Sequence, residues 1–111
     1  MQYALLIYGS GRGERRPTRE IHPAIAAVLD RPGVTGWVRL QRPDSATTVT
    51  LEARRTLLTD GPFVDSKEFL GGLILVEAEN LDGALAVATE LQELDTTAAI
   101  EVRPVFEQEL G

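Results

Sequence analysis

Two segments that are apolar on both alternating faces constrain the fold more than any other feature of this chain. They are Tyr3–Tyr8, which reads YALLIY, and Leu73–Ala78, which reads LILVEA. A strand with one face in water alternates apolar and polar residues, whereas a strand that is apolar on both faces lies inside a sheet with both sides covered. We therefore predict a sheet in which these two segments are central strands.

A helical pattern follows each central strand. The first has apolar residues at helical spacing and ends at Arg31-Pro32-Gly33; its members are Ile21, Ile25, Val28 and Leu29. The second follows Asn80, a favourable N-cap residue. Its apolar stripe comprises Leu81, Ala84, Leu85, Ala88 and Leu91. The chain therefore alternates central strands with helices.

Four shorter segments have strand patterns, namely Trp37–Gln41, Thr47–Leu51, Thr56–Thr59 and Ile100–Val105. The middle two form a hairpin around Ala53-Arg54-Arg55. The full order is strand, helix, strand, small hairpin, strand, helix, strand. This order favours an α+β, ferredoxin-like (split βαβ) sandwich with an inserted β-hairpin, in one domain over residues 1–111.

Both helices are expected on one face of this sheet, which leaves the other face without a cover. Because the central strands are apolar on both faces, a second copy of the same sheet is the simplest cover, and we predict a homodimer. The alternative is that the inserted hairpin folds back over the sheet, although the hairpin is short for that role.

Composition restricts the classes of function. Eleven Lys and Arg against 17 Asp and Glu give a formal net charge of -6, which disfavours binding to nucleic acid and to anionic membranes. The apolar start is much shorter than the ~20 residues of a membrane span, and no continuous apolar region follows Arg15-Arg16. We expect no membrane association and a cytoplasmic location.

The chain has no cysteine and a single histidine, His22. A disulfide, a thiolate nucleophile and a multi-histidine metal site within one subunit are thereby excluded. Carboxylate-bound Mg²⁺ or Ca²⁺ remains open, but no EF-hand spacing is present. We predict neither a metal site nor a cofactor. The glycine loop over residues 9–13 has the spacing G-x-G-x-G, which does not match a dinucleotide-binding fingerprint, and its neighbouring arginines are expected to be solvated.

The stretch TDGPFVDSKEFLGG, residues 59–72, raises the question of whether it only turns the chain or also acts in function. In the architectural interpretation Asp60 accepts backbone N–H bonds, Phe63 anchors the turn in the core, and Asp65 or Ser66 caps a short turn. In the functional interpretation Asp60 faces a cleft and Lys67 contacts an anion. We favour architecture, with a functional role as the alternative.

This stretch resembles the signature of the YCII-related, DGPF-motif family. Further segments resemble the family pattern in the same order, namely QYALLIYG, RPDSATTVTL, ENLDGALAVA and EVRPV. The resemblance covers nearly the whole chain apart from the glycine- and arginine-rich loop after the first strand. It implies a dimeric α/β-barrel of ferredoxin-like subunits. It also implies a frequent genetic neighbourhood with extracytoplasmic-function sigma factors, and a His and Asp pair suspected of acid–base work.

His22 is the candidate proton-transfer residue, because imidazole is the side chain suited to proton transfer near neutral pH. The segment Arg19-Glu-Ile-His22 resembles a pattern near the first helix of related proteins. The chain departs from that pattern at Pro23, which disfavours helical dihedral angles at His22 and predicts a helix that starts at Pro23. A polar surface position is the alternative for His22.

Two functions remain open. The first is a small-molecule enzyme or binding protein with His22 and Asp60 as acid–base candidates. Its ligand would be small and acidic, with Arg39, Phe63, Lys67 and Arg103 as binding candidates. The second is a non-catalytic regulatory module that binds a partner protein, consistent with the implied sigma-factor neighbourhood. Charge alone does not separate the two functions.

Overall fold

The computed structural model describes residues 1–64 and 67–109. Six strands and three α-helices follow one another in the described chain. They are β1 Gln2–Gly9, α1 Thr18–Ile21, α2 Pro23–Leu29, β2 Val34–Arg39, β3 Thr47–Glu52, β4 Arg55–Asp60, β5 Phe69–Glu77, α3 Leu81–Leu94 and β6 Ala99–Pro104. A 3₁₀ turn, Pro43–Ser45, precedes β3. The predicted order of strands and helices is confirmed.

The main sheet has four strands in the order β2-β5-β1-β6, and all neighbouring strands are antiparallel. The two doubly apolar segments, β1 and β5, are its central strands, as predicted. This order, with a helix after β1 and another after β5, is the ferredoxin-like arrangement expected from the sequence. The fold class is therefore confirmed.

One face of the sheet and both longer helices form the hydrophobic core. Tyr3 and Leu5 of β1 and Ile74 and Val76 of β5 face the helices, and Leu5 is fully buried. The helix residues that pack on them are Val28, Leu29, Ala84, Ala88 and Leu91. Because these side chains come from both halves of the sequence, the core joins the two strand–helix halves to each other.

The helical segment after β1 is broken at His22. This residue has φ -139° and ψ 73°, outside the helical region, and α2 begins at Pro23. Pro23 disfavours helical dihedral angles at the preceding residue and fits the first position of the new helix. The predicted helix start at Pro23 is confirmed, and the break places His22 at the junction of two helices.

The third helix begins where its sequence predicts, and an ion pair connects it to the end of α2. The Asn80 side chain accepts a hydrogen bond from the Gly83 N–H at 3.1 Å, which is the expected N-cap. Further along, Arg31 donates to both carboxylate oxygens of Glu90, at 2.8 and 2.6 Å. These hydrogen bonds lower the pKa of the Glu90 carboxyl below its ordinary value. The pair connects the end of α2 to α3.

The hairpin of β3 and β4 forms a separate two-stranded sheet. All residues of β4 are exposed, and Val49 and Leu51 of β3 are 66% and 72% exposed. Ala53 and Arg54 turn the hairpin with positive φ angles of 48° and 66°. The hairpin therefore does not fold back to cover the main sheet, and the alternative considered for that role is wrong.

The centre of the main-sheet face opposite the helices is apolar. Leu6 of β1 pairs with Leu73 of β5, and Leu73 pairs with Val38 of β2, on the opposite side from buried Leu5 and Ile74. Val38 is 52% exposed.

None of the helices over residues 1–64 and 67–109 has the length and apolar character needed to cross a membrane.

Candidate functional site

A cavity of about 700 Å³ lies between the helices and one end of the main sheet. Its apolar wall is formed by Ile7, Ile25, Leu29, Ile74, Leu91 and Ile100. Other parts of its lining come from the loop after β1, the helix break at His22, β2, the start of β5 with the residues before it, and the segment after α3. Cavities of this size with an apolar wall and a few polar groups are typical of small-molecule sites.

His22 and Asp95 meet at this cavity. The His22 Nε2 lies 3.3 Å from the Asp95 Oδ2, and the two side chains are 41% and 47% exposed. Both residues line the cavity. Asp95 is the residue that ends α3, and its N–H donates to the Leu91 carbonyl. The contact therefore joins the end of one helix to the break between two others.

The backbone fixes the position of His22. Its N–H donates to the Thr18 carbonyl at 2.7 Å, and its own carbonyl accepts from the Ala26 N–H at 3.0 Å. A carboxylate on one ring nitrogen orients an imidazole and favours one tautomer, which leaves the other nitrogen for a ligand. With Nε2 at Asp95, that nitrogen is Nδ1. This arrangement is suited to general acid–base chemistry.

A loop at the rim of the cavity, residues 10–17, is tied to β2 by Arg39. The Arg39 guanidinium donates to the carbonyls of Arg16 and Glu14 at 2.8 and 2.6 Å, and to the Thr18 hydroxyl at 3.1 Å. Thr18 is buried. Arg39 lines the cavity, but its terminal nitrogens are engaged in holding the loop.

The same loop packs closely against the turn before β3. Gly11 has φ +76°, and a Cβ atom there would lie 2.7 Å from the Pro43 ring. Only glycine combines this backbone conformation with such a close approach. The loop that the sequence predicted to be solvated is therefore held at both β2 and Pro43.

The structure brings together some of the predicted site residues and not others. His22, Arg39 and Lys67 line the cavity, whereas Asp60, Phe63 and Arg103 do not. Phe63 is 79% exposed, so it does not anchor the turn in the core of the subunit. The expected cap at Asp65 or Ser66 lies outside the described residues.

Arg39 and Arg103 lie on opposite faces of the sheet. Arg39 pairs with Gly72, on the face that carries Ile74 towards the helices. Arg103 pairs with Ala4, on the other face, and contacts Glu101 at 3.4 Å. The idea that both arginines hold one ligand within a subunit is corrected by this register, because adjacent residues of a strand point to opposite sides.

The turn at Asp60 is held by hydrogen bonds other than the expected ones. The Gly61 N–H donates to the Ala46 carbonyl at 2.8 Å, and the Thr48 hydroxyl donates to the Gly61 carbonyl at 2.7 Å. Asp60 is exposed, and within residues 1–64 and 67–109 its carboxylate makes no hydrogen bond. Gly61 has φ +97°, so the glycine of the motif supplies the conformation the turn needs.

Asp95 is the site residue that sequence reasoning missed. It follows the apolar stripe of α3 directly, where an acidic residue is ordinarily a solvated helix end. No motif distinguishes it from the neighbouring Glu93. Only the packing of the end of α3 beside the helix break at His22 gives Asp95 its place in the site.

Comparison with known proteins agrees with this architecture. The structure of 5-chloro-2-hydroxyhydroquinone dehydrochlorinase from Burkholderia phenoliruptrix, in complex with 2,5-dihydroxybenzoquinone, superposes with a TM-score of 0.52 at 16% identity. The match covers 97% of this chain and 96% of that one. The likeness concerns the fold of the chain.

An uncharacterised protein of Rhizobium meliloti is 30% identical to this chain, over 95% of this chain and 92% of its own length. The model of the YCII-related domain matches residues 1–109. The family that the DGPF stretch resembles is therefore confirmed. The chain belongs to the YCII-related family.

Proposed function

We propose that the chain is a small-molecule enzyme in which His22 exchanges a proton with a ligand bound in the cavity and Asp95 orients the imidazole. The main support for this proposal is the contact of 3.3 Å between the His22 Nε2 and the Asp95 Oδ2. It lies at the wall of a cavity of about 700 Å³. A histidine within reach of a bound ligand can act as a general acid or base. Asp60, which does not line the cavity, is not needed for this role.

The structural neighbour supplies candidate ligands. Its name describes the removal of HCl from a hydroxylated, chlorinated ring, and its structure holds a dihydroxylated quinone. A base that takes a proton assists the loss of HCl, which is a step the His22 imidazole is suited to perform. Because the likeness concerns the fold, hydroxylated rings are the first class to test on this chain.

The test is turnover of a panel of hydroxylated rings that includes 5-chloro-2-hydroxyhydroquinone. Two quantities are measured against a protein-free control. They are the release of chloride and the exchange of carbon-bound ring protons with D₂O. We expect saturable acceleration with at least one compound, and the same rate for Asp60→Asn, whose side chain lies outside the cavity. A panel in which no compound reacts faster than in buffer, or a rate that depends on Asp60 alone, would contradict the proposal.

We also propose that the chain forms a homodimer through the sheet face opposite the helices. Leu6, Leu73 and Val38 make that face apolar, and a second copy of the same face is complementary to it. The exposed apolar residues of the hairpin, Val49 and Leu51 among them, support an extended contact between subunits.

Leu73→Glu is expected to convert this dimer to a monomer, because a carboxylate would face its own copy in an apolar interface. Sedimentation at micromolar concentration gives the molecular mass, and circular dichroism checks that the variant folds. Glu101→Gln, at the edge of the same face, is the control and should stay dimeric. A monomeric wild type would contradict the proposed dimer, and a folded Leu73→Glu dimer would show that the contact lies elsewhere.

The alternative function is a regulatory module that binds a partner protein. The exposed hairpin is the surface that favours this alternative. A deletion of the hairpin that leaves turnover intact but abolishes the complex with a partner protein would support it. The cytoplasmic location expected from the sequence is compatible with either proposed function.

A further inference from the structure

Three basic side chains at the cavity have no carboxylate partner among the described residues. Arg15, Arg39 and Lys67 line it, and across residues 1–64 and 67–109 none of them lies within 4.0 Å of a carboxylate. Other basic residues, including Arg16, Arg19, Arg31 and Arg103, do have carboxylate partners. Arg12, Arg42, Arg54 and Arg55 also have no carboxylate within 4.0 Å among the described residues, but they do not line the cavity.

Three carboxylates also line the cavity. Glu14 contacts Arg16 at 3.7 Å, and Asp95 contacts His22 at 3.3 Å. Glu68 is the third lining carboxylate. The lining therefore carries as many carboxylates as Lys and Arg side chains, and the case for a bound anion depends on the donors of Arg15 rather than on the local net charge.

Arg15 and Arg39 differ in the use of their donors. The terminal nitrogens of Arg39 already bind two carbonyls and the Thr18 hydroxyl, so Arg39 holds the loop. In Arg15 one terminal nitrogen donates to the Gly13 carbonyl at 2.9 Å. Its Nε is buried and has no hydrogen-bond acceptor among the described residues. The second terminal nitrogen makes no hydrogen bond among the described residues and is not closed to solvent, so it is the donor that a ligand in the cavity can use.

We propose that the cavity binds a small organic anion with an apolar body, and that Arg15 binds its negatively charged oxygen. The apolar wall suits a ring or branched hydrocarbon body, while a carboxylate or phenolate oxygen would accept hydrogen bonds from the Arg15 guanidinium. Lys67, at the same cavity, adds attraction for the anion. The inference rests on the proposed function and names the substrate class and the residue that selects it.

The test compares benzoate with benzamide, which has nearly the same shape and no charge. Isothermal titration calorimetry is carried out on the wild type, Arg15→Gln and Arg12→Gln. Arg12 lies in the same loop but does not line the cavity, so its variant controls for the loss of one positive charge. Thermal denaturation verifies that each variant is folded.

We expect the wild type to bind benzoate about tenfold or more tightly than benzamide, since a charge-assisted hydrogen bond is lost with the uncharged ligand. Arg15→Gln should remove this preference and leave benzamide binding unchanged, and Arg12→Gln should keep the preference. Equal affinities in the wild type, a preference retained in Arg15→Gln, or no binding of either ligand at millimolar concentration would overturn the inference.

The experiment separates this inference from the proposed function. An Arg15-dependent preference for benzoate together with turnover that does not change in His22→Gln would support the anion site and reject the acid–base role. Turnover that requires His22 but shows no preference for anions would support the proposed function and reject the anion site.

Discussion

Substituting glutamine for His22 should lower turnover by about 10²- to 10⁴-fold, the range attributed to general acid–base catalysis by a positioned side chain. Glutamine retains hydrogen-bonding capacity and similar length but does not exchange a proton near neutral pH. Folding should be little affected, because the helix break is held by backbone hydrogen bonds of residue 22 and the side chain is 41% exposed. The rate constant kcat, measured on the compound that the wild type turns over, is the relevant quantity.

Asp95→Asn gives the second half of this prediction. An amide can still contact the imidazole but does not stabilise the imidazolium or fix the same tautomer, so kcat should fall with little change in ligand affinity. A wild-type kcat in His22→Gln, with an unchanged melting temperature, would show that proton transfer at His22 is not part of the reaction.

Gly72→Ala is expected to destabilise the fold by about 1–3 kcal/mol, as overpacking of a well-packed site does. Gly72 lies where β5 pairs with β2, and a Cβ atom there would be 2.9 Å from the Val38 carbonyl oxygen. That neighbour is backbone, so the added methyl group can be accommodated only by moving β2. Arg39 pairs with Gly72 and holds the loop at the cavity, so the variant should also weaken ligand binding.

Gly71→Ala is the matched control for this prediction. A Cβ atom at Gly71 would have its nearest neighbour at 3.7 Å, an ordinary van der Waals contact. Urea denaturation of both variants gives the free energies of unfolding. If Gly72→Ala is as stable as Gly71→Ala, the double glycine is not required by the approach of β2, and another reason for the pair must be found.

The fold could be predicted from the sequence because its strongest signals are local. Tyr3–Tyr8 and Leu73–Ala78 are apolar on both faces, and Asn80 marks the start of a helix with a regular apolar stripe. Such patterns specify central strands and helices directly, and the alternation of strands and helices restricts the topology to few choices. The break at His22 was also predictable, since Pro23 acts on its immediate neighbour.

The site was less predictable because it depends on the packing of distant segments. His22 was recognised by its chemistry, but Asp95 lies 73 residues further on and has no local signal. Asp60 was chosen for its motif, and the structure places it on a hairpin away from the cavity of its own subunit. Arg39 and Arg103 each lie between apolar residues in a predicted strand, so the sequence does not distinguish their positions. The register of the strands shows that they occupy opposite faces of the sheet.

The central claim is that a ligand in the cavity contacts His22, and NMR of two side chains tests it most directly. His22 is the sole histidine and Trp37 the sole tryptophan, so the imidazole and the indole each give one set of ring signals that needs no further assignment. Both residues line the cavity. On titration with 2,5-dihydroxybenzoquinone, we expect the imidazole and indole signals to shift along the same saturable binding curve. An indole signal that shifts while the imidazole signal stays constant, or the absence of any shift in both, would contradict the claim.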